Sequence, residues 1–380
     1  MTQTSATQNG PASRNAARVL VTGACGLVGK ATVAQLRRRG FHVTATDLDT
    51  PAGRKAIRQL AADTADSPGT LAVEWVNLTD GSAVDALVAR TAPDAIVHLA
   101  AVIPPFCYEN RKLARAVNVE GTRSLVDAAK KLDNPPRFLQ TSSIAVYGPR
   151  NPYSRRGILR SDTPVAPGDL YGGHKAEADA IVRDSGLEWV ILRLGGVLPD
   201  SLLTANPRLA ELDAVLPDDG HVQSVAASDV ATAFTNAVTI PETRREYLIG
   251  GDDTHRHIQG PLVKAAGDSL GIGGAMGGHG RPGNPDDDAA WFATDWMDST
   301  ESQRVLQFQN TTFGELMARG RLSGVKRLGM SATTPLIKQI LKHRSPYRGK
   351  PGKYADPWAL IRATWGDPEP DPESIAALDK

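Results

Sequence analysis

A chain of 380 residues with 41% hydrophobic content is long enough to bury a sizeable core, as two domains or as one large α/β domain with insertions. Its 43 Lys and Arg against 42 Asp and Glu leave a formal charge of +1, so no global field draws the molecule to nucleic acid or to an acidic membrane. The two cysteines, Cys25 and Cys107, sit outside any CxxC or Cys/His pattern, which argues against a disulfide framework and against any metal site.

Residues 1–16 are polar and carry no hydrophobic signal core, and no run of about 18 apolar residues occurs anywhere. The chain therefore reads as cytoplasmic, with no integral membrane segment and a disordered tail over 1–16. From Arg18 the pattern becomes a strand at 19–22, a glycine turn at 23–29, a helix at 30–39 and a strand at 41–46, a βαβ unit. The turn reads Thr22-Gly23-Ala24-Cys25-Gly26-Leu27-Val28-Gly29, with GxxGxxG spacing in place of GxGxxG. Following a strand and opening a helix, it suits a pyrophosphate, because glycines allow close backbone approach and the helix offers free N–H groups. Gly23, Cys25, Gly26, Leu27 and Val28 are the candidate cofactor contacts. Asp47 ends the second strand, where a carboxylate can accept from both ribose hydroxyls and repel a 2′-phosphate. NAD is favoured over NADP on that ground; the rival reading is a tight turn beside an acidic strand end.

Further apolar runs at 71–76, 95–99, 138–141 and 189–192 alternate with helix-like stretches at 82–90, 113–131 and 175–184. This alternation predicts an α/β fold with a doubly wound parallel sheet, the Rossmann arrangement, over 17–194. Past Gly195 the regularity fades, leaving a strand candidate at 246–249 and helices near 228–238 and 260–266. Residues 195–320 read as a smaller substrate-binding lobe from which the chain can return to the sheet, with 271–288 as a mobile loop. The extension 321–380 opens with a basic amphipathic stretch. It can touch a membrane surface or a partner, but a solvated docking helix is the preferred reading.

Tyr171 and Lys175 are four apart, on one face of a helix, so a cation stands near a phenol. Proton transfer near neutrality requires the phenol, with an ordinary pKa of about 10, to shift by about three units, roughly 4 kcal/mol. Lys175 and a cofactor cation are the available sources. Taken alone, the spacing is far more often that of a solvated surface pair.

The ordered set of motifs changes that weighting. The glycine turn is followed by Val76-Asn77-Leu78-Thr79-Asp80, His98-Leu99-Ala100-Ala101, Asn118-Val119-Glu120-Gly121-Thr122 and Thr141-Ser142-Ser143-Ile144-Ala145-Val146-Tyr147-Gly148, then Tyr171 and Lys175. Over about 18–313 the chain resembles the extended branch of the short-chain dehydrogenase/reductase family, whose members include NAD-dependent epimerases and dehydratases. The resemblance implies that Tyr171 is the general acid/base, that Lys175 lowers its pKa and holds the nicotinamide ribose, and that Ser143 hydrogen-bonds the reacting oxygen. The alternative for Ser143 is a strand-end hydroxyl satisfying local backbone. By the same resemblance Asn118 supports the cofactor ribose and the strand ends, unless it caps a helix. Leu99, Ala100 and Ala101 line the cofactor, and Asn77 and Leu78 lie at its adenine edge, with Asn where the family has Asp. Gly172 and Gly173 each weaken the helix by about 1 kcal/mol, implying close packing or a loosened first turn. Family members pair through helices flanking the site, so a homodimer is expected.

Residues that hold a nucleotide-sugar diphosphate in this branch are largely absent. Arg193 is followed by Leu194-Gly195-Gly196, with glycine in place of an amide, and Val222 and Ala226 stand where a basic residue and a histidine are expected before Asp229. The apolar segment 102–108, led by Val102 and Ile103, would lie near the nicotinamide or else pack the core. Tyr147, Gly195, Trp291 and Trp296 are further pocket candidates. The expected activity is NAD-dependent interconversion of a hydroxyl and a carbonyl on a hydrophobic small molecule, assisted by Ser143, Tyr171 and Lys175. The alternatives are a nucleotide-sugar epimerase or dehydratase with tightly bound NAD, and a cofactor-sensing or scaffold protein.

Overall fold

The computed structural model describes residues 17–378 apart from 155, 156, 205 and 277–279; the expected disordered tail at 1–16 lies outside the described residues. Among the described residues ten strands form, β1 (Arg18–Thr22), β2 (His42–Asp47), β3 (Leu71–Trp75), β4 (Ala95–His98), β5 (Arg137–Ser143), β6 (Trp189–Leu194), β7 (Gly196–Leu198), β8 (His221–Ala226), β9 (Arg245–Ile249) and β10 (Arg256–Ile258). Seven of them make one sheet in the order β3-β2-β1-β4-β5-β6-β9, parallel throughout. β4 and β6 are buried along their whole length, as a parallel sheet covered on both faces requires.

Alternation within each strand sorts the core into two layers. Val19, Val21, Leu139, Val190 and Leu192 point to one face, where Val33 and Leu36 of helix Leu27–Arg38 and Val230 and Phe234 of helix Ala227–Ala237 meet them. Leu20, Ile96, Phe138 and Ile191 point to the other, against Val84 and Leu87 of helix Gly81–Thr91 and Leu125 of helix Gly121–Lys130. The strand order reverses between β1 and β4, so a crevice opens at their carboxyl ends, the usual ligand position in such a sheet. A second sheet, β10-β8-β7, stands beyond β6.

Several elements differ from the sequence expectations. The helix expected from 175 runs Leu170–Arg183, because Asp169 caps it by accepting from the N–H groups of Tyr171 and Gly172. The stretch expected at 113–131 is broken by a π turn, Ala116–Glu120, around Asn118. Most of all, the extension is not one solvated helix. Helix Gly324–Arg344 buries no residue, but the chain then folds back through helices Pro357–Thr364 and Pro372–Ala376. Tyr347, Ala355, Leu360, Ile361 and Trp365 join Cys107, Tyr108, Ala114 and Leu170 in one apolar cluster.

Candidate active site

At the carboxyl end of β1, Gly23 has φ +65° and a Cβ there would lie 2.7 Å from the Ala100 nitrogen, so no other residue fits between the turn and β4. The N–H of Gly26 donates to Gly23 O at 3.0 Å. Gly26 then opens helix Leu27–Arg38 with no side-chain cap and no acidic residue in the first turn. Such a terminus offers unpaired N–H groups and a positive dipole end to an anion. Asp47 faces it from β2, where Oδ2 accepts from Cys25 N and Oδ1 from Leu48 N, both at 2.8 Å. The carboxylate is thus fixed, with lone pairs to spare for ribose hydroxyls. Burial, with Asp47 beside it, pushes the Cys25 thiol up to about 11, so it is an unreactive part of the turn.

Asn77 is exposed and its Oδ1 accepts from Thr79 N at 3.1 Å, while Leu78 is buried beneath it. Leu99, Ala100 and Ala101 are half-buried along the crevice. Asn118 Oδ1 accepts from Val102 N at 2.8 Å and its Nδ2 donates to Val102 O at 2.9 Å, so the amide braces the segment after β4, as the expected support of the strand ends requires, and does not cap a helix. Sequence reasoning passed over His98, which completes this brace. Its Nδ1 lies 2.7 Å from Thr22 Oγ1 and its Nε2 3.0 Å from Thr122 Oγ1, which donates to Asn118 O at 2.8 Å. Ala100 N donates to Thr22 Oγ1 at 3.3 Å. All four bonds are satisfied together when Nε2 carries the only ring proton, and full burial, seconded by Lys175, drives the imidazole down to about 3.

Ser143 ends β5, and its Oγ accepts from Ala145 N at 3.1 Å. The local-backbone role is therefore real, and it leaves the hydroxyl proton free to donate. Helix Leu170–Arg183 packs on β5 and on the turn Ile144–Tyr147. Gly172 permits this, since a Cβ there would stand 2.4 Å from Ala145 O. The turn carrying Tyr171 is thereby seated against the turn that follows Ser143.

Lys175 is buried, and its Nζ donates to Thr141 O at 2.8 Å and lies 5.8 Å from the centre of the Tyr171 ring. Burial lowers the ammonium to about 8, against the opposing pull of Asp179. Tyr171 itself is half-buried by residue, and its phenol is pushed above the ordinary value by burial, then by Cys107, Asp169 and Asp179. The expected lowering of this pKa by Lys175 does not show in the cofactor-free chain, where burial is the largest influence on the phenol and every influence raises it.

Two carboxylates unnoticed in the sequence act on the phenol. Asp169 is buried, and besides capping the helix it accepts from Tyr108 Oη at 2.7 Å. Asp179, one turn beyond Lys175, accepts from Ser142 Oγ at 2.8 Å and Arg193 Nε at 3.3 Å. Arg193 in turn donates from Nη1 to Tyr147 Oη at 2.8 Å. An Asp before a helix and an Asp four after Lys175 were both readable signals. What no pattern carried was their burial.

The substrate candidates divide. Val102 is half-buried, packing with Tyr171, Phe292 and Trp358 against the apolar cluster of Cys107 and Tyr108, and Ile103 is exposed. Tyr147 is only 4% exposed, with its hydroxyl on Arg193; it belongs to the core and not to a pocket wall. Gly195 serves backbone packing, since a Cβ there would meet Gln223 O at 2.6 Å. Trp291 is buried with Nε1 on Asn284 O, and Trp296 stacks on His221 with ring centres 3.7 Å apart. Both indoles are structural, while Phe292 and Trp358 stack with ring centres 5.2 Å apart on the apolar cluster of Cys107 and Tyr108.

Comparison with known proteins sets this geometry in context. The family model described as NAD dependent epimerase/dehydratase family matches residues 19–200. D-erythronate dehydrogenase of Cupriavidus necator is 31% identical over 170 residues, 44% of this chain and 49% of that protein. UDP-glucose 4-epimerase 4 of Oryza sativa subsp. japonica is 32% identical over 187 residues, 46% of this chain and 47% of that protein. The chain thus spans about half the length of the curated relatives it matches. The crystal structure of UDP-glucose 4-epimerase from Thermus thermophilus in complex with NAD shares the fold, with a TM-score of 0.63 and 21% identity over 79% of this chain and 96% of that one.

Proposed function

We propose, from the match of residues 19–200 to the NAD dependent epimerase/dehydratase family model, that the protein is an NAD-dependent oxidoreductase interconverting a hydroxyl and a carbonyl on a hydrophobic small molecule. The observation that carries the reading is the seating of Tyr171 and Lys175 on one helix, held by Gly172 against the turn after Ser143. The dinucleotide-binding part is residues 17–194 and the substrate lobe 195–320.

The glycine turn suits a dinucleotide, because its helix opens without a side-chain cap and Asp47 stands fixed beside it. Gly23, Cys25, Gly26, Leu27 and Val28 would hold the pyrophosphate, Asp47 the adenosine ribose, Asn77 and Leu78 the adenine edge, and Leu99, Ala100, Ala101 and Lys175 the nicotinamide side. Asn118 contributes by fixing the backbone of Val102. When bound, NAD supplies a ring that exchanges hydride at the substrate carbon. The chain handles the oxygen. Ser143 donates its free hydroxyl proton to that oxygen as charge develops, and Tyr171 passes the proton. Because burial keeps the phenol neutral, the protein alone holds Tyr171 as an acid; acting as a base requires positive charge closer than Lys175 lies.

For the substrate, Val102, Phe292, Trp358 and Tyr171 are half-buried on one apolar cluster, and this apolar surrounding of the phenol's helix supports a hydrophobic ketone or alcohol. A second reading, a nucleotide-sugar epimerase or dehydratase with tightly bound NAD, is favoured by the similarity to UDP-glucose 4-epimerase 4. Against it, Val222 and Ala226 are buried apolar positions of β8, which leaves a diphosphate no cation there. We also propose a cytoplasmic homodimer. Since residues 367–374 lie along the outer side of helix Leu170–Arg183, its pairing uses another surface, and a monomer mass by light scattering would overturn it.

Stopped-flow absorbance with a carbonyl and alcohol panel, run with NADH beside NADPH, tests the chemistry. Tyr171→Phe is expected to lose about 100-fold or more of the hydride-transfer rate, and retention of most of it would overturn the assignment. Release of NAD on denaturation together with binding of a UDP or dTDP sugar would favour the second reading.

A further inference from the structure

Helix Gly324–Arg344 is 21 residues long, about 30 Å, and has no buried residue. One side leans on the lobe, where Met330, Ile337 and Leu341 are half-buried and Ser331 Oγ donates to Gly271 O at 3.1 Å. Docking thus accounts for that side alone. The opposite side carries Val325, Leu328, Ala332, Leu336 and Ile340, spaced three or four apart and so aligned in one stripe. They are left in solvent, Val325 at 86%, Leu328 at 75%, Leu336 at 60% and Ile340 at 42% exposure.

The charges decide what fits this stripe. Lys326, Arg327, Lys338, Lys342 and Arg344 lie in the helix, and the segment has no Asp or Glu. In a chain whose net charge is +1 this is a strong local concentration. Among the described residues none of the five forms an ion pair. A second copy would bring five cations against five. Nucleic acid would satisfy the cations and leave the apolar stripe in water. An anionic bilayer satisfies both, with the stripe among the acyl chains and flanking Lys and Arg stems reaching to the headgroups.

We propose that helix Gly324–Arg344 is a membrane-surface anchor that lays Val325, Leu328, Leu336 and Ile340 into an anionic lipid surface. The helix lies in the plane of the interface, consistent with the absence, among the described residues, of any helix long and apolar enough to cross a membrane. The proposal rests on no part of the catalytic reading.

Sedimentation of the full chain with vesicles tests it. Binding is expected to vesicles of phosphatidylcholine with phosphatidylglycerol, not to phosphatidylcholine alone, and to fall with added salt. Lys338→Gln and Lys342→Gln, both solvated substitutions that spare the fold, should each lower the partition about fivefold, and Leu336→Glu should abolish it with an unchanged circular dichroism spectrum. No sedimentation with anionic vesicles, equal sedimentation with neutral ones, or indifference to the lysine variants would each overturn the anchor. A doubled mass in light scattering that Leu336→Glu removes would assign the stripe to a second copy instead.

Discussion

His174, the residue before Lys175, has its Nε2 2.8 Å from Oδ2 of Asp371, a hydrogen bond that ties the catalytic helix to a residue 197 positions later in the chain. The ring is fully buried and burial lowers its pKa against the pull of Asp371; since a carboxylate only accepts, Nε2–H donates to it. The same carboxylate takes Arg111 Nη2 at 2.6 Å, Ser374 Oγ donates to Glu177 at 2.7 Å, and Leu170 N donates to Pro368 O at 2.6 Å. Gly173 lets Pro370 and Ser374 come this close. Asp371→Ala is therefore expected to cost about 2 kcal/mol in urea unfolding and to lower turnover more than NAD affinity, because it loosens the turn bearing Tyr171. Unchanged stability and turnover would show the C-terminal segment to be passive.

Asp47 is held by Cys25 N and Leu48 N. Asp47→Asn keeps an acceptor for one of those two N–H groups and removes the charge that repels a 2′-phosphate. The ratio of NADPH to NADH affinity should rise about tenfold, measured by fluorescence titration. A ratio that does not move would remove Asp47 from cofactor selection.

His98 titrates near 3 in the folded chain against an ordinary value of 6.5. Between these values the unfolded chain binds one proton more, so this residue's contribution is intact above pH 6.5 and is lost as pH falls, by about 1.4 kcal/mol per unit. Wild type should lose about 2 kcal/mol more than His98→Gln between pH 6.5 and pH 5. Equal acid sensitivity of the two proteins would contradict the neutral, doubly bonded ring.

Lys175 shows the opposite flank. Its folded value of about 8 lies below the ordinary 10.5, so between these pH values the unfolded chain again holds the extra proton, and stability rises with pH as the burial penalty is relieved. In cofactor-free protein, the stability difference between wild type and Lys175→Met should move in favour of wild type by about 1.4 kcal/mol per pH unit from pH 8 to 10. A difference that is flat across that range would mean Lys175 is solvated.

The sequence by itself determined the local grammar. Short continuous apolar runs separated by helical stretches specify a parallel sheet, and Gly23 between β1 and a helix specifies the phosphate turn, because short-range sterics admit little else. The order of Ser143, Tyr171 and Lys175 was likewise legible. Tertiary structure alone decided how those groups are charged and held. Asn118 is bonded to Val102, Tyr147 is spent on Arg193, Lys175 is bound to Thr141, and the C-terminal segment closes on His174. Each of these depends on burial and on partners brought together from distant parts of the chain. Desolvation and long-range pairing are properties of the packed assembly, and spacing along a sequence does not encode them.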